Sequence, residues 1–243
     1  MIRMLWNKDS HNSVSTPPSS PTRYEVKMTC SEIYLPEVRA WLRLHREGFC
    51  HSYPERRVNN LYFDTFDFDC LNDNLTGTGN RAKLRLRWYG EDLSHIHGMF
   101  ELKGKVAQQG WKLISTPVTL DLSVGSWAEL LPQLHAQTEG RFDVWLGALA
   151  RPVLINHYWR EYYESASHEM RVTVDRDQAA YDQVCYPRPN LTAPAYDKHE
   201  IVIEVKADGR LHRRISDLLT TFPLRVGRNS KFANNVLGAL PSE

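Results

Sequence analysis

The sequence predicts one α+β domain in which short amphipathic helices cover one face of a curled antiparallel sheet. Several segments alternate strictly between charged and apolar residues, as strands with one buried face do. Three other segments repeat apolar residues at helical spacing. The chain has 243 residues, of which 42% are hydrophobic and 24% charged, and this composition suits a single globular domain.

Residues 1–22 are predicted to be a disordered leader, because they contain three closely spaced prolines and several hydroxyl side chains. Folded structure is expected from residue 23 to about residue 240. No apolar run approaches the roughly 20 residues of a membrane helix, and residues 1–20 lack the apolar stretch of a signal peptide. The four cysteines form no Cys-x-x-Cys pair. These features predict a cytoplasmic protein with reduced cysteines.

Seven segments alternate between charged and apolar side chains and are predicted to be strands. The clearest runs from Arg81 to Tyr89, where odd positions are cationic or tyrosine and even positions are apolar. In a single strand this alternation is typical of a solvated face. The seven segments are 23–28, 60–64, 81–89, 100–106, 158–162, 170–175 and 200–206.

Three further segments, 35–45, 126–137 and 211–222, are predicted to be helices. Each is short and has one apolar face. In the second, Ser126 precedes Glu129 at the spacing of a capping box. Helices of this kind are expected to pack on the apolar face of the sheet.

The charges on the strand faces are sorted by sign. Without segment 60–64 and the terminal Arg81, the charged faces hold ten basic and five acidic side chains, a net +5 in a chain of total charge +1. Like charges about 4 Å apart repel by on the order of 4 kcal/mol at an effective dielectric near 20. An anionic ligand would offset this repulsion, and a sheet closed into a barrel would enclose the ligand. The remaining −4 argues against indiscriminate nucleic-acid binding, and no specific nucleic-acid partner is predicted.

Such an interior suits a triphosphate or a polyphosphate chain. Arginine offers planar forks to phosphate oxygens, and lysine supplies compact positive charges. The few carboxylates are expected as ligands of a divalent ion, because Mg²⁺ and Mn²⁺ bind one or two carboxylates together with phosphate oxygens.

The ordered set of motifs resembles the CYTH-like triphosphate tunnel metalloenzymes, and within them the VTC domain of polyphosphate polymerases in its bacterial stand-alone form. A single motif such as Glu-x-Lys is weak, but the set runs in family order over about residues 23–240. The motifs lie at 23–27, 60–64, 83–90, 100–103, 158–160, 171–175, 203–206 and 228–232.

The resemblance implies an eight-stranded antiparallel barrel that binds ATP or another triphosphate with Mn²⁺ or Mg²⁺ and transfers the γ-phosphate to polyphosphate. The catalytic residues that it implies are Lys27, Arg85, Arg87, Lys103, Arg160 and Lys231. Further phosphate-binding residues would be Lys83, Lys206, Arg171, Arg228 and Ser230. The metal ligands would be Glu204, Glu25 and Glu101.

One departure bears on the activity. Hydrolases and cyclases of this superfamily begin with Glu-x-Glu-x-Lys, whereas this chain has Arg23 at the first position. The missing carboxylate favours a polymerase over an inorganic or nucleoside triphosphatase, which stays open as an alternative. A non-catalytic polyphosphate-binding or RNA-binding module is the second alternative. A membrane partner protein is also possible, because the membrane helices of the eukaryotic polymerase have no counterpart in this sequence.

Overall fold

The computed structural model describes residues 23–106, 109–194, 196–222 and 236. Within these residues nine strands form one antiparallel sheet, flanked by five helices. The predicted leader, together with Arg228, Ser230 and Lys231, lies outside them. The strands are β1 (Arg23–Ser31), β2 (Cys50–Asp64), β3 (Arg81–Tyr89), β4 (His95–Val106), β5 (Gln109–Asp121), β6 (Arg151–Glu164), β7 (Met170–Asp182), β8 (Tyr196–Lys198) and β9 (Glu200–Asp208). The helices are α1 (Leu35–Leu44), α2 (Asp69–Leu75), α3 (Trp127–His135), α4 (Arg141–Ala148) and α5 (His212–Thr221).

The sheet has the strand order β1-β9-β7-β6-β2-β3-β4-β5, and the short β8 pairs with β7 beside this path. The predicted α+β fold with eight antiparallel strands is confirmed. Of the strand pairings in the described residues, none joins β1 to β5, so the sheet is not closed by hydrogen bonds at that seam.

The sheet is nevertheless strongly curled. Lys27 on β1 and Lys83 on β3 are five strand spacings apart, which would be about 24 Å in a flat sheet. Yet the pKa of Lys83 is lowered first by burial and second by the charge of Lys27, so the two side chains lie close together. Likewise, the charge of Lys206 on β9 contributes to lowering the pKa of Lys103 on β4, although the two strands are five spacings apart in the sheet. The β1–β9 side therefore folds over the β3–β4 side.

Two apolar cores lie on the convex face of the curled sheet. One core lies between strands β2, β3, β4, β5 and β6 and helices α2, α3 and α4, and it includes Leu86, Leu130 and Trp145. The other packs α1 and α5 against β1, β7 and β9 through residues such as Val38 and Ile215. The charged faces of the strands therefore point to the concave side, which we call the lumen.

The predicted elements recur with small shifts at their ends. In β3 the even positions are buried and the odd positions partly accessible, as the alternation predicted. The Glu129 carboxylate accepts hydrogen bonds from the backbone and hydroxyl of Ser126 at 2.7 and 2.9 Å, which completes the predicted cap of α3. No described helix is both long and apolar enough to span a membrane.

Helix α2 was not predicted, and its start depends on one buried acid. The Asp64 carboxylate, fully shielded from solvent, accepts hydrogen bonds from the backbone N–H groups of Thr65, Cys70 and Leu71 at 2.8–3.0 Å. It thereby satisfies donors at the amino end of α2. Asp64, part of a predicted motif, thus has a structural role.

Candidate active site in the lumen

One wall of the lumen is built around a buried carboxylate on β4. Glu101 accepts hydrogen bonds from two guanidinium nitrogens of Arg85, one of them at 2.8 Å, and from Lys112 Nζ at 2.6 Å. Nη1 of Arg87 lies 3.8 Å from the same carboxylate. Burial opposes the ionised form, but the charges of Arg85 and Arg87 hold the pKa of Glu101 far below its usual range. Glu101 therefore stays ionised and fixes the surrounding cations.

The same wall continues through two asparagines on β2 and β6. Arg87 donates from Nε to Asn60 Oδ1 at 2.8 Å and from Nη2 to the Tyr158 hydroxyl at 3.0 Å. The Asn60 amide donates to Asn156 Oδ1 at 2.8 Å. Among the described side chains, the buried Asn156 Nδ2 has no hydrogen-bond partner. The network thus holds Arg87 in place and leaves a donor beside it for an acceptor.

A second fixed guanidinium belongs to Arg160 on β6. Its Nε and Nη2 donate to the two carboxylate oxygens of Asp175 on β7 at 2.5 and 2.7 Å. Its Cζ lies 5.2 Å from the centre of the Tyr158 ring. A bidentate pair of this kind fixes the orientation of the guanidinium plane as well as its charge.

Where β1 and β9 meet, two carboxylates and two lysines alternate. In the strand register Glu25 faces Lys206, and Lys27 faces Glu204. The Lys27 ammonium lies 3.2 Å from Glu25 and 3.4 Å from Glu204, whereas the Lys206 ammonium lies 3.9 and 2.9 Å from the same two carboxylates. Each cation is therefore shared by both acids.

The two carboxyl groups also interact with each other. Burial and the neighbouring Glu204 raise the pKa of Glu25. Burial opposes ionisation of Glu204, but its hydrogen bond with Glu25 and the charges of Lys206 and Lys27 lower its pKa. At a pH below the raised pKa of Glu25 the two groups share one proton, as paired carboxyls do. Two adjacent oxygen-rich groups of this kind suit Mg²⁺ or Mn²⁺, which bind carboxylates together with phosphate oxygens.

Two lumen lysines have weakened basicity. Burial, together with the charges of Lys27 and Arg81, lowers the pKa of Lys83 to about 7. Burial and the charge of Arg85 likewise lower the pKa of Lys103 to about 7. The Lys103 side chain is still accessible to water although protein surrounds it, as expected of a group that lines an open channel. Both lysines lie where positive charge is in excess, which an anion would relieve.

A family model for the VTC domain matches residues 22–238. The chain belongs to the VTC domain family. No curated protein sequence matches it. Two solved structures resemble it over most of its length. A Hippeastrum protein, described as a proposed adenylyl cyclase with a dominant triphosphatase activity, is 16% identical with a TM-score of 0.49 over 89% of this chain and 96% of its own. A proposed adenylate cyclase from Vibrio parahaemolyticus is 11% identical with a TM-score of 0.47 over 91% of this chain and 100% of its own.

Most of the site residues predicted for this VTC domain face the lumen in two groups. Lys27, Lys206, Glu25 and Glu204 form the carboxylate–lysine cluster. The cationic residues of the second group lie on β3, β4 and β6, and are Lys83, Arg85, Arg87, Lys103 and Arg160. Lys231, Arg228 and Ser230 lie outside the described residues, and their roles stay predictions.

The three predicted metal ligands do not come together. No group of three His, Cys, Asp or Glu side chains in the described part of the chain is placed to hold a metal. Glu25 and Glu204 are paired, whereas the Glu101 carboxylate is bonded to Arg85 and Lys112. Cations surround Glu101, and its assignment as a metal ligand stays a prediction.

Arg171 lies at the margin of the site. It follows the first residue of β7, its side chain is 66% exposed, and its Nε lies 3.2 Å from Glu164. In the strand register it faces Lys206. A role in phosphate binding stays a prediction for Arg171, at the rim rather than deep in the lumen.

Four side chains that hold this site together are not among the predicted catalytic, phosphate-binding or metal-binding residues. Asn60 and Asn156 fix Arg87, and Asp175 fixes Arg160. Lys112 lies on β5, a strand that was not predicted, and faces Lys103 in the register. The asparagines carried a signal, because a buried amide in the middle of an apolar strand requires a polar partner.

Proposed function

We propose that this VTC domain is a metal-dependent phosphotransferase that transfers the γ-phosphate of ATP to a growing polyphosphate chain. The observation that supports this most strongly is the lumen itself, where fixed guanidinium groups adjoin a pair of carboxylates. Arg85, Arg87 and Arg160 are each held by a side-chain acceptor from another strand. The four cysteines are unpaired, in keeping with a cytoplasmic location.

The arginines supply preorganised positive charge. Each has part of its N–H fork engaged by Glu101, Asn60 or Asp175, so its position is set before a ligand enters. Charge that develops on a transferred phosphoryl group would then meet donors that need no reorganisation. No side chain needs to act as a covalent nucleophile, because positioning and charge stabilisation dominate phosphoryl transfer.

The lysines would adapt to the charge of the ligand. With pKa values of about 7, Lys83 and Lys103 are only partly protonated at neutral pH in the free protein. An adjacent phosphate chain raises these pKa values, because opposite charge favours the ammonium form. The lumen therefore takes up positive charge as it binds a polyanion.

Glu25 and Glu204 would hold Mg²⁺ or Mn²⁺ together with phosphate oxygens. Such an ion neutralises charge on the phosphates and orients them. Lys27 and Lys206, now paired with these carboxylates, would then be released to bind phosphate oxygens. The same four side chains thus suit both metal and anion.

Triphosphate hydrolysis on the same site is the second candidate. It would use the same cations and the same Glu25–Glu204 pair, and a Mg²⁺ ion held by these two carboxylates would also carry water ligands. Water would then replace the polyphosphate end as the phosphate acceptor. A non-catalytic binding module has less support, since buried acids such as Glu204 would repel a polyanion in the absence of a metal.

The product of the reaction distinguishes these functions. Labelled ATP is incubated with the full chain and Mn²⁺, and the products are separated by size on a gel. A ladder of acid-labile polymer is expected. Phosphate without polymer would select the triphosphatase, and metal-independent binding without turnover would select the binding module.

Two variants that each remove one cation complete this experiment. Lys103→Gln removes a lumen cation and is expected to abolish turnover. Arg43→Gln removes an exposed cation on the last turn of α1 and is expected to leave turnover unchanged. Equal activity of the two variants would contradict the placement of the site in the lumen.

A further inference from the structure

Four side chains form a cation–aromatic cluster at one mouth of the lumen. The Arg56 guanidinium carbon lies 4.2 Å from the Tyr89 ring centre and 5.1 Å from that of Tyr162. Arg56 Nε donates to the Tyr162 hydroxyl at 3.0 Å. The Tyr53 ring meets Tyr162 edge to face, with centres 6.0 Å apart. We call Tyr53, Arg56, Tyr89 and Tyr162 the tyrosine rim.

Along β3 the tyrosine rim is separated from the carboxylate–lysine cluster, whereas across β6, β7 and β9 Tyr162 lies two strand spacings from Glu204. On β3, Lys83 interacts with Lys27, and Tyr89 stands six residues further along the same face. Six residues of strand span about 20 Å. Arg85 and Arg87 occupy the positions between them. A ligand bound along β3 would therefore pass from aromatic rings, past guanidinium groups, to lysines and carboxylates.

The rim tyrosines are not needed for the cores. Tyr53 is 63% exposed and Tyr89 is 43% exposed, and neither belongs to the two apolar clusters. In the described pairing β3 accompanies β2 only from Val58 onward, so the segment that carries Tyr53 and Arg56 extends past β3. The aromatic surface at this mouth is thus left open.

We propose that the tyrosine rim is a nucleobase-binding site, so that a nucleoside triphosphate enters with its base at the rim and its γ-phosphate toward Glu25 and Glu204. This inference rests on the proposed function. Exposed aromatic rings stack on the faces of bases whatever the base, and a fixed guanidinium strengthens such contacts. A bare polyphosphate chain has no planar group that could stack on these rings.

The two parts of a nucleotide ligand would bind to different surfaces. The phosphates would bind in the lumen, beside Arg87 and Arg160, whereas the base would contact the open faces of Tyr53 and Tyr89. Tyr162 stands two residues from Arg160 on the same face of β6, so the two parts adjoin. Loss of a rim ring should consequently weaken binding of a nucleotide and leave binding of inorganic tripolyphosphate unchanged.

The test compares these two probes by calorimetric titration of the full chain at one Mg²⁺ concentration. The probes are a non-hydrolysable ATP analogue and inorganic tripolyphosphate. Tyr89→Leu and Tyr53→Leu are each expected to weaken the ATP analogue roughly tenfold, the scale of one base–aromatic stack. Neither should change the affinity for tripolyphosphate. Tyr89→Phe retains the ring and should bind both probes like the unmodified protein.

Tyr186→Leu is the matched control, because Tyr186 is 42% exposed and lies in the segment after β7, outside the rim. It should leave both affinities unchanged. Unchanged binding of the ATP analogue in both rim variants, or equal weakening of both probes, overturns the nucleobase site while the proposed function survives. Failure of the unmodified protein to bind tripolyphosphate overturns both.

Discussion

Glu25 and Glu204, on the neighbouring strands β1 and β9, have carboxyl groups that hydrogen-bond to each other between two lysines. Below the raised pKa of Glu25 the two groups share a proton, and a divalent cation would take the place of that proton. At a pH below the pKa of Glu25, which burial and Glu204 raise, metal binding therefore has to displace a proton.

The first prediction concerns this pair. Glu204→Gln removes one of two carboxylate ligands, and the Mn²⁺ concentration for half-maximal turnover should rise by on the order of tenfold or more. In the unmodified protein, Mn²⁺ binding should weaken as the pH falls through the raised pKa of Glu25. Titration of turnover against Mn²⁺ at several pH values measures both effects. Glu200→Gln, on the same strand, is the control, and an equal shift in it would contradict the assignment.

The second prediction is a pH dependence of tripolyphosphate binding. Lys83 and Lys103 have pKa values of about 7 in the free protein, and a bound anion raises them. Between the free and the bound pKa values, binding takes up protons, so affinity should fall as the pH rises above about 7. Calorimetry in buffers of different ionisation enthalpy counts these protons. Affinity that does not change from pH 7 to 9 would refute the assigned pKa values.

The third prediction concerns stability in the absence of ligand. A lysine titrates near 10.4 in an unfolded chain, whereas Lys83 titrates at about 7 in the folded protein. Between these pH values the unfolded state holds more protons, so the free energy of unfolding should rise with pH from about 7 toward 10. Urea unfolding across this range measures the slope. Lys83→Met should reduce the slope, and an unchanged slope in this variant would contradict the prediction.

The fourth prediction separates two cations of the lumen. Arg85 is bonded to the buried Glu101, so Arg85→Ala leaves a carboxylate with fewer partners and should lower the free energy of unfolding by about 3 kcal/mol. Lys103→Ala removes a group that burial and Arg85 destabilise, and should leave stability unchanged or higher. Both variants should lose turnover. Urea unfolding provides the comparison, and equal destabilisation would show that the Glu101 contacts do not stabilise the fold.

The sequence predicted the residues whose role follows from strand alternation. Arg85 and Arg87 were predicted to share a face because residues two apart on a strand do so, and β3 confirms it. Alternation also placed Glu25 with Lys27 and Glu204 with Lys206. It could not show that these two pairs interlock, because that depends on the β1–β9 register.

Most of what could not be predicted arises from contacts between separate elements. Glu101 has the same alternation as a metal ligand would have, but its partners Arg85 and Lys112 come from two other strands. β5 was missed because its alternation is weak, and helix α2 was missed because its start depends on Asp64 accepting backbone hydrogen bonds. Glu101 and α2 thus depend on contacts between separate elements, whereas β5 lacks a clear local pattern.

The fifth prediction uses a buried hydroxyl in the lumen. Thr173 faces Tyr162 and Glu204 in the strand register, and among the described side chains its Oγ1 is a buried atom without a hydrogen-bond partner. Burial of an unpaired hydroxyl costs about 1–3 kcal/mol, and valine has nearly the same shape. Thr173→Val should therefore raise the free energy of unfolding of the free protein by about 1 kcal/mol.

The same substitution tests whether Thr173 serves the ligand. If its hydroxyl donates to a bound phosphate, Thr173→Val should weaken tripolyphosphate binding several-fold while it stabilises the free protein. Thr119→Val, at an exposed position of β5, is the control. Urea unfolding and calorimetric titration of each variant measure the two effects separately. Greater stability with unchanged affinity would exclude a ligand contact, and lower stability would show that the hydroxyl is satisfied within the fold.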